Sequence, residues 1–321
     1  MTERIPVTVL TGHLGAGKTT LLNRILREDH GRRYAVIVNE FGAIGIDNDL
    51  IVHGDEELFE LSNGCVCCTV RGDLVRIAHG LLARPGGFDA IVVETSGLAD
   101  PGPVAQTFFL DQFLQARTAL DSVTTVIDAK HILLRLADTH EAEEQVAFAD
   151  QIVLNKTELV SAAALAEIEG RLRAINALAP IHRAVRADVA LDKILGRGGF
   201  DLDRIVVLEP HFLDPGGHAH EHSGAIRSVS LALRVPLDEA KARAWLAALV
   251  TARGPDILRG KGILDVGGAA RLVFQSVHML SECEFQRPWR PDEERASRLV
   301  LIGRDLDEAA LQAGFASCAA T

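Results

Sequence analysis

Two short stretches of this chain carry residue types and spacings that can do chemistry. Gly12-His13-Leu14-Gly15-Ala16-Gly17-Lys18-Thr19, continued by Thr20, fits the pattern G-x-x-x-x-G-K-[ST]. Glycines at this spacing let backbone N–H groups turn inward around a polyphosphate without Cβ clashes, and the start of a following helix adds partial positive charge. Lys18 then reaches the outer phosphates, and the Thr19 hydroxyl offers Mg²⁺ a hard oxygen. The second stretch, Gly64-Cys65-Val66-Cys67-Cys68, sets three thiols within four residues. Zn²⁺ favours tetrahedral thiolate sites. In an extended segment Cys65 and Cys67 share a face, and a turn after Cys67 swings Cys68 towards the same ion. That leaves a fourth position for another side chain, a water or a recipient's ligand, which suits transfer better than a closed structural site. Cu(I) is also acceptable to three thiolates. Two readings compete: a Cys65–Cys68 redox pair, which lacks its expected context and has Cys67 in the way, and thiols buried as small apolar groups.

Further residues extend the phosphate site. Ile91-Val92-Val93-Glu94 ends an apolar run in a carboxylate, followed by Thr95-Ser96-Gly97. Beside a phosphate loop, Glu94 is placed to hold Mg²⁺ through water or to orient an attacking water, and Gly97 lets a loop sense the terminal phosphate. Lys18 and Glu94 are thus the candidate catalytic pair. Asn155-Lys156-Thr157-Glu158 stands where guanine-specific phosphate-loop proteins carry N-K-x-D, whose carboxylate accepts two N–H donors from the guanine edge. Glu158 is one methylene longer than that aspartate but keeps the charge and the bidentate capacity, so GTP is expected over ATP.

These residues require strands and helices to position them. Candidate strands are Pro6–Leu10, Tyr34–Val38, Ala90–Glu94, Val123–Asp128 and Gln151–Asn155; amphipathic stretches between them are Thr19–Glu28, Arg71–Ala83, Val104–Leu114 and Ala162–Ala177. Continuous apolar strands alternating with helices predict an α/β domain with a mostly parallel sheet covered on both faces. The phosphate-loop pattern falls between the first strand and the first helix, as it must. Glu209 to Gly224 (EPHFLDPGGHAHEHSG) breaks the rhythm with Pro, Gly and His. We therefore expect a nucleotide domain over residues 1–208, a His-rich linker over 209–224 and a smaller α+β domain with mixed sheet order over 225–321. In that last part strands are expected at Ile226–Val235, near Ile263–Val266, at Arg271–Met279 and at Arg298–Ile302. Helices are expected at Leu237–Val250 and from Leu306.

In the linker, His218, His220 and His222, with His211 nearby, form an exchangeable site for a soft or borderline cation, or a solvated segment with fortuitous histidines. His53, His79 and His278 stand alone and read as ordinary surface or core residues, and Cys283 and Cys318 lack neighbours.

Composition narrows the function classes. The 321 residues are 48% hydrophobic and 24% charged, which excludes a disordered tail, a fibre or a disulfide mini-scaffold. Aromatics are only 5%, so the core must be aliphatic. A net charge of −11 without a basic run gives no general attraction for phosphate backbones, and no nucleic-acid partner is expected. No apolar run approaches membrane-spanning length, and the N-terminal Ile5–Leu10 run is too short for a secretion signal. A cytoplasmic protein with no membrane partner is expected, and cysteines there serve metals more often than disulfides.

Together the phosphate loop, G-C-V-C-C, Glu94 with T-S-G, and the N-K-x-D-like box, in this order, make the chain resemble the CobW-type GTPases. These are metal-handling relatives of the urease and hydrogenase nickel-insertion GTPases. The likeness extends to Val38-Asn39-Glu40-Phe41-Gly42, to Gly97-Leu98-Ala99-Asp100-Pro101, to the His-rich linker and to the C-terminal domain, nearly the whole chain. It implies GTP hydrolysis coupled to zinc delivery to client metalloproteins, with Cys65, Cys67 and Cys68 as zinc ligands and Glu40 as a further one. It also implies Thr19 and Glu94 at Mg²⁺, Asn155, Lys156 and Glu158 at the base, and a nucleotide-dependent homodimer. Cobalt handling for corrinoid synthesis, a small-molecule kinase or ATPase, and a non-enzymatic metal buffer are the alternatives.

Overall fold

The computed structural model describes residues 4–28, 31–38, 57–60, 68–84, 87–97, 99–198, 226–291 and 293–320. By contact the chain divides into Met1–Gly170 with Ala179–Gly199, and Arg171–Leu178 with Phe200–Thr321. The expected linker, residues 209–224, lies outside the described residues.

The first unit is built on β1 (Ile5–Thr11), β2 (Tyr34–Val38), β3 (Glu57–Glu60), β4 (Ala90–Glu94), β5 (Thr118–Asp128), β6 (Gln151–Asn155) and β7 (Ile181–Arg183). All pairings are parallel, in the order β3-β2-β4-β1-β5-β6-β7. Parallel crossovers need a connection across a face; those described are supplied by α1 (Lys18–Arg27), α2 (Cys68–Leu82), α3 (Pro101–Leu110), α4 (Gln112–Arg117), α5 (Ile132–Asp138), α6 (His140–Phe148) and α7 (Ala162–Ile175), whose last turn is grouped with the second unit, while the β2–β3 connection lies outside the described residues. The inner strands β2, β4 and β6 are buried along their whole length, which explains why they read as nearly unbroken apolar runs. Leu21, Leu22 and Ile25 of α1 join Leu10, Val36, Val92, Val126 and Val153 in one core, so α1 lies across the sheet. Each such side chain contributes about 1.5–3 kcal/mol by leaving water.

The stretch expected as one helix over 104–114 is two. Asp111 is extended (φ −83, ψ 117), its N–H closes α3 on the Thr107 carbonyl, and its carboxylate caps α4 by accepting from Leu114 N at 2.9 Å. An aspartate's preference for capping overrides a continuous apolar pattern there. β5 also begins five residues earlier than the Val123 expected.

The second unit holds β8 (Ile226–Leu233), α8 (Glu239–Arg253), β9 (Ile257–Leu264), β10 (Ala270–Val277), β11 (Leu280–Pro288), β12 (Ser297–Arg304) and α9 (Glu308–Ser317). Its sheet runs β11-β10-β9-β12-β8, and every pairing is antiparallel, which corrects the mixed order expected. For β10 and β11 the reason is their two-residue link (Val277↔Leu280), which is long enough only for a hairpin. Asp238 and Asp307 cap α8 and α9, accepting from Lys241 N and Ala310 N. The helices pack Leu246, Val250, Leu311 and Phe315 on Leu272, Phe274, Leu299 and Leu301 of the sheet. Among the described residues no helix is long and apolar enough to cross a membrane.

Candidate nucleotide site

Because the seven strands are parallel, their C-terminal ends share one edge, and the chain reverses its direction of travel around β1. Such a switch point is where open α/β sheets leave a crevice for ligands. Three sequence motifs end there, the glycine loop after β1, Glu94 closing β4 and Asn155 closing β6, together with Asp128 closing β5. The registers Leu10↔Glu94 and Asp128↔Asn155 make them neighbours in pairs.

The loop after β1 depends on its glycines. Gly12 has φ 134, and a Cβ there would sit 2.1 Å from the Val126 carbonyl oxygen of β5. Gly17 has φ 111, and a Cβ would meet Asn155 Nδ2 at 2.4 Å. Gly15 (φ 77) faces open space, so it is required for conformation alone. Gly17 starts α1 without a side-chain cap, and no acidic residue stands in the first turn. The helix end therefore keeps its partial positive charge towards the loop, as an anion cradle requires. Lys18 is 7% exposed, and its ammonium donates to the Gly12 carbonyl at 2.8 Å, which holds it over the mouth of the loop. Thr19 is half-buried and Thr20 exposed in the first helical turn; His13, Leu14 and Ala16 complete the loop, with Ala16 N donating to His13 O.

On the β4 side Glu94 is buried, and Thr95 ties the next residues to β1 through its N–H on Leu10 O and its hydroxyl on Thr11 Oγ1 at 2.8 Å. Gly97 then approaches the loop so closely that a Cβ would lie 2.5 Å from Leu14 N. Gln145 of α6 donates to both Gly97 O (3.2 Å) and Ala99 O (3.3 Å), holding this segment in place. Thr19 and Glu94 each carry a hard oxygen of the kind that could hold Mg²⁺.

Asn155 does more than the box motif predicts. Its Nδ2 donates to Ala16 O at 2.9 Å, and its Oδ1 accepts from Ala187 N at 2.7 Å, so it staples the phosphate loop to the segment after β7. Lys156 stands in the left-handed region (φ 60), and its ammonium meets Asp128 Oδ2 at 2.7 Å. Burial would raise the Asp128 pKa, but Lys156, His131 and the Lys130 N–H outweigh it and hold the carboxyl below its usual range. Glu158 is exposed in the short 3-10 turn Thr157–Leu159, and Thr157 bonds that turn to Ala184 O through its N–H and its hydroxyl. Asp128, Gln145 and residues 184–187 were missed as functional residues. Only Asp128, an acid closing an apolar strand as Glu94 does, left a signal.

Of the expected zinc ligands, Cys68 opens α2, while Cys65, Cys67 and Glu40 lie outside the described residues, as do His218, His220 and His222. Among the described residues no group of three or more His, Cys, Asp or Glu side chains is placed to hold a metal. Burial pushes the Cys283 and Cys318 thiols up, so neither is poised as a thiolate. His79 bonds Asp111 at 2.9 Å and stacks on Phe113.

Residues 6–183 match the family model for the CobW/HypB/UreG nucleotide-binding domain, and residues 226–319 match the cobalamin synthesis protein cobW C-terminal domain. The chain is 38% identical over 318 residues to the zinc chaperone YjiA of Escherichia coli K12, covering 97% of this chain and 98% of that one. It is 46% identical over 186 residues to zinc-regulated GTPase metalloprotein activator 1 of Schizosaccharomyces pombe, covering 56% of this chain and 45% of that one. A crystal structure of Zn(II)-bound YjiA GTPase from E. coli superimposes with a TM-score of 0.80 at 33% identity, covering 99% of this chain and all of that one. The glycine cradle, the buried lysine and the asparagine staple thus lie in a chain that belongs to the CobW/HypB/UreG family and carries the cobW-type C-terminal domain.

Proposed function

We propose that this protein is a GTP-hydrolysing zinc metallochaperone that carries Zn²⁺ at Cys65, Cys67 and Cys68, with Glu40 as a further ligand, and hands it to client metalloproteins. Residues 1–208 serve as the nucleotide domain and 225–321 as the C-terminal domain. The observation that carries the reading is the Asn155 bridge between the phosphate loop and the loop beside Lys156–Glu158. It supports a site that takes a polyphosphate at one end and a base at the other, in a chain 38% identical to a zinc chaperone along nearly its full length.

In this reading Gly12 to Thr20 wrap the phosphates, Lys18 offsets charge on the outer ones, and Asn155, Lys156 and Glu158 take the base. Thr19 and Glu94 would hold Mg²⁺, which would supply charge neutralisation at the phosphate oxygens. Glu94 orients the attacking water, and the Thr95–Gly97 segment, packed on Leu14, responds to the terminal phosphate. Glu40 follows β2 in the sequence, and β2 pairs with β4, so in this reading the occupied phosphate site biases the metal ligands through the chain after β2. Such bias works only by differential binding of the two loop states, and it is reciprocal. His218, His220 and His222 add a weaker exchangeable zinc site. The chain is proposed to act in the cytoplasm, to pair across the nucleotide as a homodimer, and to need no nucleic acid or membrane.

A transfer assay tests this. Protein loaded with one zinc is mixed with an apo-acceptor, and Mg²⁺-GTP, Mg²⁺-ATP or a non-hydrolysable GTP analogue is added. GTP alone should accelerate transfer, and both Lys18→Ala and a Cys65/Cys67/Cys68→Ser variant should abolish the acceleration. Equal transfer rates with all three nucleotides would sink the proposal. The match of residues 226–319 to the C-terminal domain of a cobalamin synthesis protein makes cobalt the competing cargo, and the same assay with Co²⁺ separates the two.

A further inference from the structure

Arg24 lies in α1, the helix whose first turn carries Lys18 and Thr19, yet its guanidinium reaches away from the phosphate loop. Its Nη1 donates to Ala187 O at 2.6 Å and to Val189 O at 3.1 Å, and it meets Asp188 Oδ1 at 3.1 Å. Its Nη2 is held at 2.5 Å by Oε1 of Glu28, the extended residue that ends α1. The side chain is 26% exposed, so these are partly desolvated, charge-assisted bonds to backbone.

The segment it grips is under conformational demand. Arg186 (φ 53) and Ala187 (φ 57) are consecutive non-glycine residues in the left-handed region. Each costs about 1–2 kcal/mol, and such a pair persists only where its surroundings over-determine it. Four anchors do so. Ala184 N donates to Leu154 O, Ala184 O accepts from Thr157, Ala187 N donates to Asn155 Oδ1, and Arg24 holds the carbonyls of Ala187 and Val189. Two of these anchors, Asn155 and Thr157, belong to the proposed base-binding box. Ala187 is itself fully buried, which leaves Val185 and Arg186 exposed beside the turn that carries Glu158.

We propose that Arg24 is a positioning residue for the base end of the nucleotide site, clamping residues 184–189 to α1 so that this segment and the Lys156–Glu158 turn together select guanine. This rests on the reading that Asn155, Lys156 and Glu158 take the base. It goes beyond that reading by assigning the segment's position, and with it part of the selectivity, to an arginine outside every motif. It also gives the phosphate and base ends one shared rigid element, the ten-residue helix α1.

The test compares wild type, Arg24→Gln, Arg24→Lys and Glu158→Ala, with affinities measured by calorimetry for GDP, ADP and inorganic tripolyphosphate, each with Mg²⁺. Arg24→Gln is expected to weaken GDP about tenfold, equivalent to about 1.4 kcal/mol. Tripolyphosphate, which has no base, should stay within about twofold on the same scale. Arg24→Lys should fall between, because an ammonium can serve one carbonyl but cannot fork to two. If Arg24→Gln does not fold, Arg24→Lys carries the same prediction at about threefold on that scale. Equal weakening of GDP and tripolyphosphate would make Arg24 merely a support for α1 and overturn the proposal, as would unchanged GDP affinity. Glu158→Ala keeps the two readings apart. Lost GDP-over-ADP preference in Glu158→Ala but not in Arg24→Gln refutes the clamp alone. The opposite pattern refutes the role of Glu158 and leaves the clamp standing.

Discussion

Replacing Asn155 with alanine removes two buried hydrogen bonds that join segments far apart in sequence. The side chain is 2% exposed, with its amide on Ala16 O and its carbonyl on Ala187 N. Neither backbone group gains another protein partner when the side chain is cut back, and an unsatisfied buried group costs about 1–3 kcal/mol. Some relaxation and water entry offset this, so Asn155→Ala should destabilise the nucleotide domain by about 2–4 kcal/mol. Asn155→Asp should do no better: it keeps the acceptor for Ala187 N but sets a carboxylate against the Ala16 carbonyl. Urea unfolding followed by circular dichroism reads the loss. Both tryptophans, Trp245 and Trp289, lie in the C-terminal unit, so their fluorescence should unfold at the wild-type midpoint and serve as an internal control. Hydrogen exchange should speed up in two places at once, at residues 12–20 and 184–189. A variant within 0.5 kcal/mol of wild type, on the scale of an ordinary surface change, or one that exchanges faster in only one of the two segments, would refute the staple.

Three further outcomes are expected. Gly12→Ala places a Cβ 2.1 Å from Val126 O at φ 134, so it should abolish GTP hydrolysis and lower the melting temperature, whereas Gly15→Ala, strained but unobstructed, should retain more stability. Asp128→Asn removes the carboxylate that holds Lys156, and should weaken Mg²⁺-GDP about fivefold in a calorimetric titration, while leaving tripolyphosphate nearly unchanged. In the C-terminal domain burial would raise the Glu293 pKa, but Arg287, the Arg290 N–H and Arg271 lower it from 4.5 to about 2. A depressed carboxylate stabilises the fold above its unfolded pKa and loses that stability as pH falls towards the folded value. Glu293→Gln should therefore cost about 2 kcal/mol at pH 7, after allowance for solvent screening, by tryptophan-monitored unfolding. The gap should close as pH falls from 4.5 to about 2.

What the sequence made legible is what local pattern and motif spacing encode. Tyr34–Val38, Ala90–Glu94 and Gln151–Asn155 were bounded to the residue, because strands buried on both faces leave no polar interruption until they end. The phosphate loop was legible because three glycines and a lysine at fixed spacing have few other uses. Short edge strands such as Ile181–Arg183 and Glu57–Glu60 were not, since three or four residues carry too little periodicity. The antiparallel C-terminal sheet escaped because strand direction depends on connections, not on composition. The staple and the clamp were hidden for a related reason: Asn155 bonds a residue 139 positions away and Arg24 one 163 positions away. No local signal announces such a partner, and only the fold brings them together.

In the proposed carrier, nucleotide state and zinc binding share free energy, and one equilibrium measurement addresses this coupling directly. Reduced protein is titrated with Zn²⁺ against a competing chelator, once with Mg²⁺ and a non-hydrolysable GTP analogue, once with Mg²⁺-GDP, beside the Cys65/Cys67/Cys68→Ser variant. One tight, cysteine-dependent zinc is expected, with an affinity that differs between the two nucleotides by about 5- to 150-fold, the usual range of such coupling. Identical zinc affinities in the two nucleotide states would contradict it.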